Sequence, residues 1–241
     1  MDVDSLEKAV GLVERLHPAG IKIFKVGSQL FTAYGPQAVK MVAERGARVF
    51  LDLKFYDIPN TVLSAVTSGT GLSCELVSAP SMSPNAGQRI KGAMQSAVFM
   101  MTVHTKGGLA MLKAAAKAAR EKAAELKVSR PFIVGVTRLT SDEDSGNIKE
   151  EVLQASRLAR GAGLDGVVCA VGEAAAVREE FGRDFIIVTP GIRPKGFAPD
   201  DQSRVATARE AVKAGADYVV VGRPILEAKD PLTALKEILI G

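Results

Sequence analysis

Short apolar runs alternate along this chain with longer segments whose apolar residues recur at helical spacing. The first helix is predicted from Leu6 to Leu16, with Asp4 or Ser5 as its N-cap, and the first strand from Ile21 to Val26. Later strands are predicted around Asp52 and at 99–104, 133–137, 166–170, 185–189 and 218–222. The helices between them are predicted at 36–45, 109–126, 149–162, 174–181, 204–214 and 231–240. Strands that alternate with helices in this way indicate parallel βαβ units.

The alternation predicts a single domain over residues 1–241 with seven strands, one fewer than a (β/α)₈ barrel contains. Because the chain opens on a helix, the missing strand would be the first, immediately before Asp2. A doubly wound open sheet would also alternate strands with helices. The strand at Ile21 to Val26 is not followed by G-x-G-x-x-G, however, so the sequence lacks the main motif of a dinucleotide-binding site. We therefore predict a TIM barrel whose first strand is truncated.

One segment departs from the regular pattern. Residues 67–87 are rich in Ser, Gly and Pro and lack helical periodicity, which predicts a loop insertion in the third βα unit. A loop of that length inside a domain is unusual. Residues 88–97 regain the pattern of a helix before the next strand.

Charged residues interrupt the strand V-F-L-D-L-K-F that begins at Val49. Side chains alternate between the faces of a strand, so Asp52 and Lys54 lie side by side, and Pro59 places Asp57 in the loop that follows. A surface ion pair would explain an isolated D-x-K. Apolar residues flank this one on both faces, however, and buried charges are tolerated when they are paired or functional. The stretch is therefore a candidate active site.

Other polar residues also follow the predicted strands, at the barrel face where such enzymes keep their active sites. They include Lys25, Thr140 and Arg193. The last strand ends in Gly222-Arg223, and the loops after the final barrel strands commonly bind phosphate through backbone N–H groups. Arg223 and Arg193 would add charged contacts to a phosphate group.

Composition excludes several classes of protein. No apolar run is long enough to cross a bilayer, and the acidic N-terminus does not resemble a secretory signal, so we expect a cytoplasmic protein. The formal charge is +4, but basic and acidic residues are mixed, which argues against nucleic-acid binding. The two cysteines and two histidines have no partners at metal-ligand spacing. We predict neither a metal nor a cofactor.

The motifs D-L-K-F-Y-D-I-P-N-T, V-T-P-G-I-R-P and V-V-V-G-R-P-I occur here in that order. With F-K-V-G, V-H-T-K-G-G and V-T-R-L-T-S, they make the chain resemble the orotidine 5′-phosphate decarboxylases over nearly its whole length, except the segment after Thr61. The resemblance implies cofactor-independent conversion of orotidine 5′-phosphate to UMP in pyrimidine biosynthesis. Electrostatic stabilisation would then supply the catalysis, because the sequence shows no sign of a metal or an electron-sink cofactor.

The resemblance also implies residue roles. At the reacting centre it implies Asp52 and Lys54, with Lys54 as the proton donor, and Lys25 in the same charge network. It implies three residues that reach into the neighbouring subunit's site of a homodimer, with Asp57 shared across the interface: Asp57, Ile58 and Thr61. The remaining substrate contacts are to the ribose, the pyrimidine and the phosphate: Asp2 and Lys25, then Thr140, then Arg193, Gln202, Gly222 and Arg223.

Two alternatives remain open at this stage. A sugar-phosphate decarboxylase or aldolase of the same superfamily would share Asp52, Lys54 and Asp57, but usually needs a metal. A catalytically impaired phosphate-binding barrel would retain the same charges and release no CO₂.

Overall fold

The computed structural model describes residues 1–75, 96–139, 146–194 and 205–240, and of residues 73–75 it describes only the backbone. The chain divides into two units. Unit 1 is Met1–Val103 with Lys113–Ile133, and unit 2 is His104–Leu112 with Val134–Gly241. The single domain expected over residues 1–241 stays a prediction.

Seven strands lie in the described part of the chain, in the same order in the sheet as in the sequence. Every register that is described is parallel. Parallel neighbours need a crossover connection, and helices supply it, which confirms the predicted α/β alternation. The strands are β1 (Ile23–Gly27), β2 (Arg48–Phe55), β3 (Val98–His104), β4 (Phe132–Val136), β5 (Gly166–Val168), β6 (Ile186–Thr189) and β7 (Tyr218–Val219).

Of the ten α-helices in the described residues, seven follow predicted positions and three are additions. The additions are Ser28–Tyr34 and Arg223–Leu226, which are short, and Pro59–Glu75, which includes part of the predicted loop. The helices are α1 (Leu6–Leu16), α2 (Ser28–Tyr34), α3 (Pro36–Glu44), α4 (Pro59–Glu75), α5 (Gly108–Leu126), α6 (Ile148–Gly161), α7 (Val171–Phe181), α8 (Ala208–Lys213), α9 (Arg223–Leu226) and α10 (Pro231–Ile240).

Capping residues fix where two of these helices begin. Ser5 caps α1, its side chain accepting a hydrogen bond from the Lys8 N–H at 3.2 Å. In unit 2, α8 begins at Ala208 and not at the predicted residue 204, because Thr207 and Glu210 form a capping box. The Thr207 hydroxyl accepts from the Glu210 N–H, and the Glu210 carboxylate accepts from the Thr207 N–H.

The loop predicted to start at residue 67 is wrong for residues 67–75, which continue α4. A tertiary contact explains one of the small residues there. A Cβ on Gly69 would lie 2.6 Å from the Met101 sulfur, so glycine lets α4 approach β3 closely. The buried Thr70 hydroxyl donates to the Val66 carbonyl at 2.8 Å and is thereby satisfied inside the helix. Residues 76–87 lie outside the described residues, and so do 88–95 of the helix predicted at 88–97.

Apolar side chains surround the strands of unit 1. Val26 of β1, Leu51 of β2, and Met100 and Met101 of β3 are at most 1% exposed. α1 contributes Val13 to the same core. A charged group on these strands is therefore withdrawn from water and needs a partner.

In unit 2, β5 and β6 approach so closely at Gly166 that a Cβ there would lie 2.1 Å from the Ile186 carbonyl oxygen. A backbone atom cannot rotate out of the way. We expect Gly166→Ala to lower the free energy of unfolding by about 1–3 kcal/mol, measured by urea denaturation. Gly172→Ala is the control, because no atom lies within 4 Å of a Cβ there. Equal stability of the two variants would contradict this packing.

Candidate active site

The end of β2 is irregular, and this irregularity sets the backbone of the site. Leu51 is opposite Met101 and Phe55 is opposite Val103, so residues 52–54 of β2 face the single residue Thr102 of β3. Lys54 has a φ of 49°, in the left-handed region that few residues other than glycine adopt. Such backbone conformations cluster at functional sites.

Asp52 and Lys54 lie together, as the sequence predicts. The Lys54 Nζ is 3.0 Å from Asp52 Oδ2, and the Lys25 Nζ of β1 lies 3.1 Å from the same oxygen. Lys25 is also 3.1 Å from Asp2 Oδ2. These four residues, Asp2, Lys25, Asp52 and Lys54, form what we call the charged cluster, in which two carboxylates alternate with two ammonium groups.

Two backbone hydrogen bonds and a glycine hold Asp2 beside Lys25. The Gln29 N–H donates to Asp2 Oδ1 at 3.3 Å, and the Gly27 N–H donates to the Met1 carbonyl at 3.5 Å. A Cβ on Gly27 would lie 2.2 Å from the Asp2 carboxylate oxygens. Glycine at position 27 is therefore needed for Asp2 to reach the cluster.

Burial is graded across the cluster. The Asp52 side chain is 11% exposed and that of Lys25 is 20% exposed, whereas Lys54 is 39% exposed. Lys54 is thus the ammonium group that a bound molecule can reach more readily.

Electrostatics keep the buried members of the cluster ionised. Burial by itself would raise the pKa of Asp52, but the charges of Lys25 and Lys54 outweigh it and hold this pKa below its usual 3.8. Burial would lower the pKa of Lys25, but Asp52 and Asp2 outweigh it and raise this pKa above 10.5. Both groups are therefore charged at neutral pH.

The second predicted acid, Asp57, lies apart from the cluster within this chain. It is exposed, and its carboxylate accepts a hydrogen bond from the Ile58 N–H at 2.6 Å. Asp57 makes no hydrogen bond or ion pair with the cluster residues, all of which are in the described part of the chain. Thr61 is also exposed, and Tyr56 and Ile58 are 63% and 67% exposed.

The predicted phosphate residues that are described lie in unit 2. Arg193 is buried; its N–H donates to the Ala206 carbonyl at 2.9 Å and its guanidinium to the Ile192 carbonyl at 3.1 Å. Gly222 precedes α9 and Arg223, partly buried, begins it. Thr140 and Gln202 lie outside the described residues.

Thr102 is a site residue that the sequence reasoning missed. It is fully buried, and its hydroxyl contacts both Asp52 and the Lys54 backbone. The available indication was a hydroxyl residue inside the apolar run V-F-M-M-T-V-H, one strand after the charged stretch.

Residues 1–75, 96–139, 146–194 and 205–240 contain no group of three or more His, Cys, Asp or Glu able to hold a metal ion. In the charged cluster, ammonium groups contact Oδ2 of Asp2 and of Asp52, and the two Oδ1 atoms accept hydrogen bonds from the Gln29 N–H and the Thr102 hydroxyl. No helix in these same ranges is long and apolar enough to span a membrane.

Comparisons with known proteins point to one family. The family model described as "Orotidine 5'-phosphate decarboxylase / HUMPS family" matches residues 1–238. An orotidine 5′-phosphate decarboxylase of Moorella thermoacetica is 45% identical over 99% of this chain and 88% of the relative. One of Nitrosococcus oceani is 41% identical over 99% of this chain and 93% of the relative. The crystal structure of orotidine 5′-phosphate decarboxylase from Lactobacillus acidophilus matches with a TM-score of 0.69 and 30% identity, covering 100% of this chain and 95% of that chain.

The charged cluster predicts how stability depends on pH. The pKa of Asp52 is lower in the folded protein, so its contribution is present above pH 3.8 and is lost as pH falls through the folded value. The pKa of Lys25 is higher in the folded protein, so its contribution is present below pH 10.5 and is lost as pH rises through the folded value.

We therefore expect the free energy of unfolding of the wild type to fall below pH 4, and Asp52→Asn to reduce that slope, measured by urea denaturation across pH. The exposed Asp184, changed to Asn, is the control. If the free energy of unfolding of Asp52→Asn falls as steeply below pH 4 as that of the wild type, ionised Asp52 does not contribute to stability.

Proposed function

The chain belongs to the orotidine 5′-phosphate decarboxylase / HUMPS family, and from that membership we propose that it converts orotidine 5′-phosphate to UMP and CO₂ without a cofactor. Membership confirms the resemblance drawn from the sequence motifs. The observation that carries the proposal is the charged cluster, in which Lys54 is ion-paired with a carboxylate and still accessible.

The reaction requires stabilisation of a carbanion. Cleavage of the bond between C6 and the carboxylate releases CO₂ and leaves the electron pair on C6. The Lys54 ammonium stabilises that charge and then transfers its proton to C6, which gives UMP. The neutral amine regains a proton from water. Lys54 therefore acts as the general acid.

Asp52 acts on the substrate carboxylate in this proposal. Lys25 and Lys54 keep Asp52 ionised, so a substrate carboxylate placed beside it is repelled. Two like charges about 4 Å apart repel by roughly 4 kcal/mol at an effective dielectric constant of 20. Loss of CO₂ relieves this repulsion, while binding of the distant phosphate holds the substrate in place.

The remaining contacts are proposed from the family resemblance. Asp2 and Lys25 bind the ribose, and Thr140 contacts the pyrimidine. The phosphate is bound by two guanidinium groups, an amide side chain and a backbone N–H: Arg193, Arg223, Gln202 and Gly222. Guanidinium groups match phosphate oxygens in both charge and geometry, which supports this assignment.

We propose a (β/α)₈ barrel for the fold. The parallel strand order supports it, as do the hydrogen bonds that join the Met1 backbone to Lys25 and Gly27, where a first barrel strand would pair with β1. An insertion in the third βα unit would lie after α4, between Glu75 and β3. A cytoplasmic location is proposed with the pyrimidine-biosynthetic role.

We also propose a homodimer in which Asp57, Ile58 and Thr61 enter the partner's active site. These residues are exposed in a single chain, and so is Tyr56, two positions before Ile58. A partner subunit would withdraw the apolar side chains of Tyr56 and Ile58 from water, which supports an interface at this loop. The carboxylate of Asp57 would then join the partner's charged cluster.

Replacing Lys54 tests the catalytic role. We expect Lys54→Ala to lower kcat by about 10³-fold or more, because both the proton donor and the stabilising charge are lost. UMP should still bind to this variant. Loss of orotidine 5′-phosphate absorbance measures turnover, and Lys40→Ala, at an exposed lysine of α3, is the control.

Near-normal turnover by Lys54→Ala would remove Lys54 from the mechanism. The wild-type assay is repeated with EDTA, because inhibition would favour a metal-dependent sugar-phosphate enzyme. Absence of CO₂ release by the wild type would favour an impaired phosphate-binding protein.

Mixing two inactive variants tests the shared site. Lys54→Ala and Asp57→Ala damage different residues of one composite site, so a mixed dimer would contain one intact site. After subunit exchange at equal concentrations, we expect roughly a quarter of wild-type activity, since half of the dimers are mixed and each has one working site. Activity no higher than the sum of the separate variants would contradict sharing of Asp57.

A further inference from the structure

Thr102 lies where two neighbouring strands are out of regular register. It is the residue of β3 that faces the irregular end of β2, and its side chain is 0% exposed. Its Oγ1 is 2.8 Å from the Lys54 backbone nitrogen and 2.9 Å from Asp52 Oδ1. One hydroxyl group therefore contacts two residues of the charged cluster, Asp52 and Lys54.

The direction of these two hydrogen bonds is fixed by chemistry. A backbone N–H can only donate, so the Thr102 hydroxyl accepts from Lys54 and its own proton is available for Asp52. An ionised carboxylate can only accept, which matches this direction. The bonds therefore suit the charged form of Asp52.

The hydrogen bond from Thr102 fixes the orientation of the Asp52 carboxylate. Thr102 occupies Oδ1, and both lysine ammonium groups lie on Oδ2, at 3.0 and 3.1 Å. Rotation of the carboxylate would break the Thr102 bond as well as the ion pairs. The hydroxyl thus holds the orientation in which Asp52 pairs with Lys54.

The bond to Lys54 acts on the backbone. Lys54 has a φ of 49°, a conformation that is unfavourable for a residue with a Cβ, and its N–H has Thr102 as acceptor. This bond stabilises the conformation from which the Lys54 side chain turns back to Asp52.

We propose that Thr102 is a positioning residue for the proton donor, one that aligns Lys54 and Asp52 through a single hydroxyl group. The inference rests on the proposed decarboxylase function and extends it to a residue with no expected substrate contact. A purely structural role would also use these bonds, but it would affect stability without affecting the chemical step.

Thr102→Val keeps the shape of the side chain and removes both hydrogen bonds, and Thr102→Ser restores the hydroxyl. We expect Thr102→Val to lower kcat by about 10- to 100-fold with KM changed less than about threefold, because misplaced catalytic groups slow chemistry more than binding. Thr102→Ser should stay within about threefold of wild-type kcat.

Thr70→Val is the matched control, because Thr70 is equally buried and its hydroxyl bonds only within α4, to Val66. It should lower Tm and leave kcat unchanged. If Thr102→Val lowers Tm as this control does and keeps kcat, the positioning role is wrong. If Thr102→Val does not fold, Thr102→Ala takes its place with the same expected kcat and KM.

Crystal structures of the wild type and Thr102→Val separate this inference from the proposed function. We expect Lys54 Nζ to move beyond hydrogen-bonding distance of Asp52 Oδ2 in the variant, whether or not the wild type is active. An unchanged Lys54 conformation and ion pair would overturn the inference. Absence of wild-type decarboxylation would overturn the proposed function alone.

Discussion

The structure of unit 1 depends on keeping one buried carboxylate ionised. Asp52 is surrounded by the apolar side chains of three strands, where an uncompensated charge would be strongly unfavourable. Two ammonium groups and a hydroxyl donor compensate it, and each comes from a different strand position: Lys25 from β1, Lys54 from β2 and Thr102 from β3. Removing any one of these partners leaves the charge of Asp52 less well compensated, so Asp52 and its three partners act as a unit.

The parallel sheet suits this task because it places consecutive strands in register beside one another. Gly27 of β1 is opposite Asp52 of β2, and Lys25 is only two positions earlier on the same strand. The end of β2 is irregular, and Lys54 pairs with Asp52 from a left-handed backbone conformation there. The functional geometry thus combines an ordinary scaffold with one local departure from it.

The strands and the pairing of Asp52 with Lys54 could be predicted from the sequence. Hydrophobic periodicity indicates the strands, and the alternation of side chains between strand faces places Asp52 beside Lys54. The left-handed backbone of Lys54 could not be predicted, because its N–H bonds to Thr102, which is 48 residues away along the chain. Residues 67–75 were misjudged for a related reason. Their small side chains resemble a loop in composition, but Gly69 is small because α4 packs against Met101, a contact that composition does not reveal.

The balance of charge within the cluster also limits how dissolved salt affects it. Two negative and two positive groups sum to zero formal charge, and their separations of 3.0–3.1 Å are far shorter than the Debye length of about 8 Å at physiological ionic strength. Mobile ions therefore screen this group weakly, unlike exposed pairs such as Lys8 with Asp4. A neutral cluster also attracts a dianion weakly over distance, so long-range steering of such a ligand falls to cationic residues elsewhere on the protein.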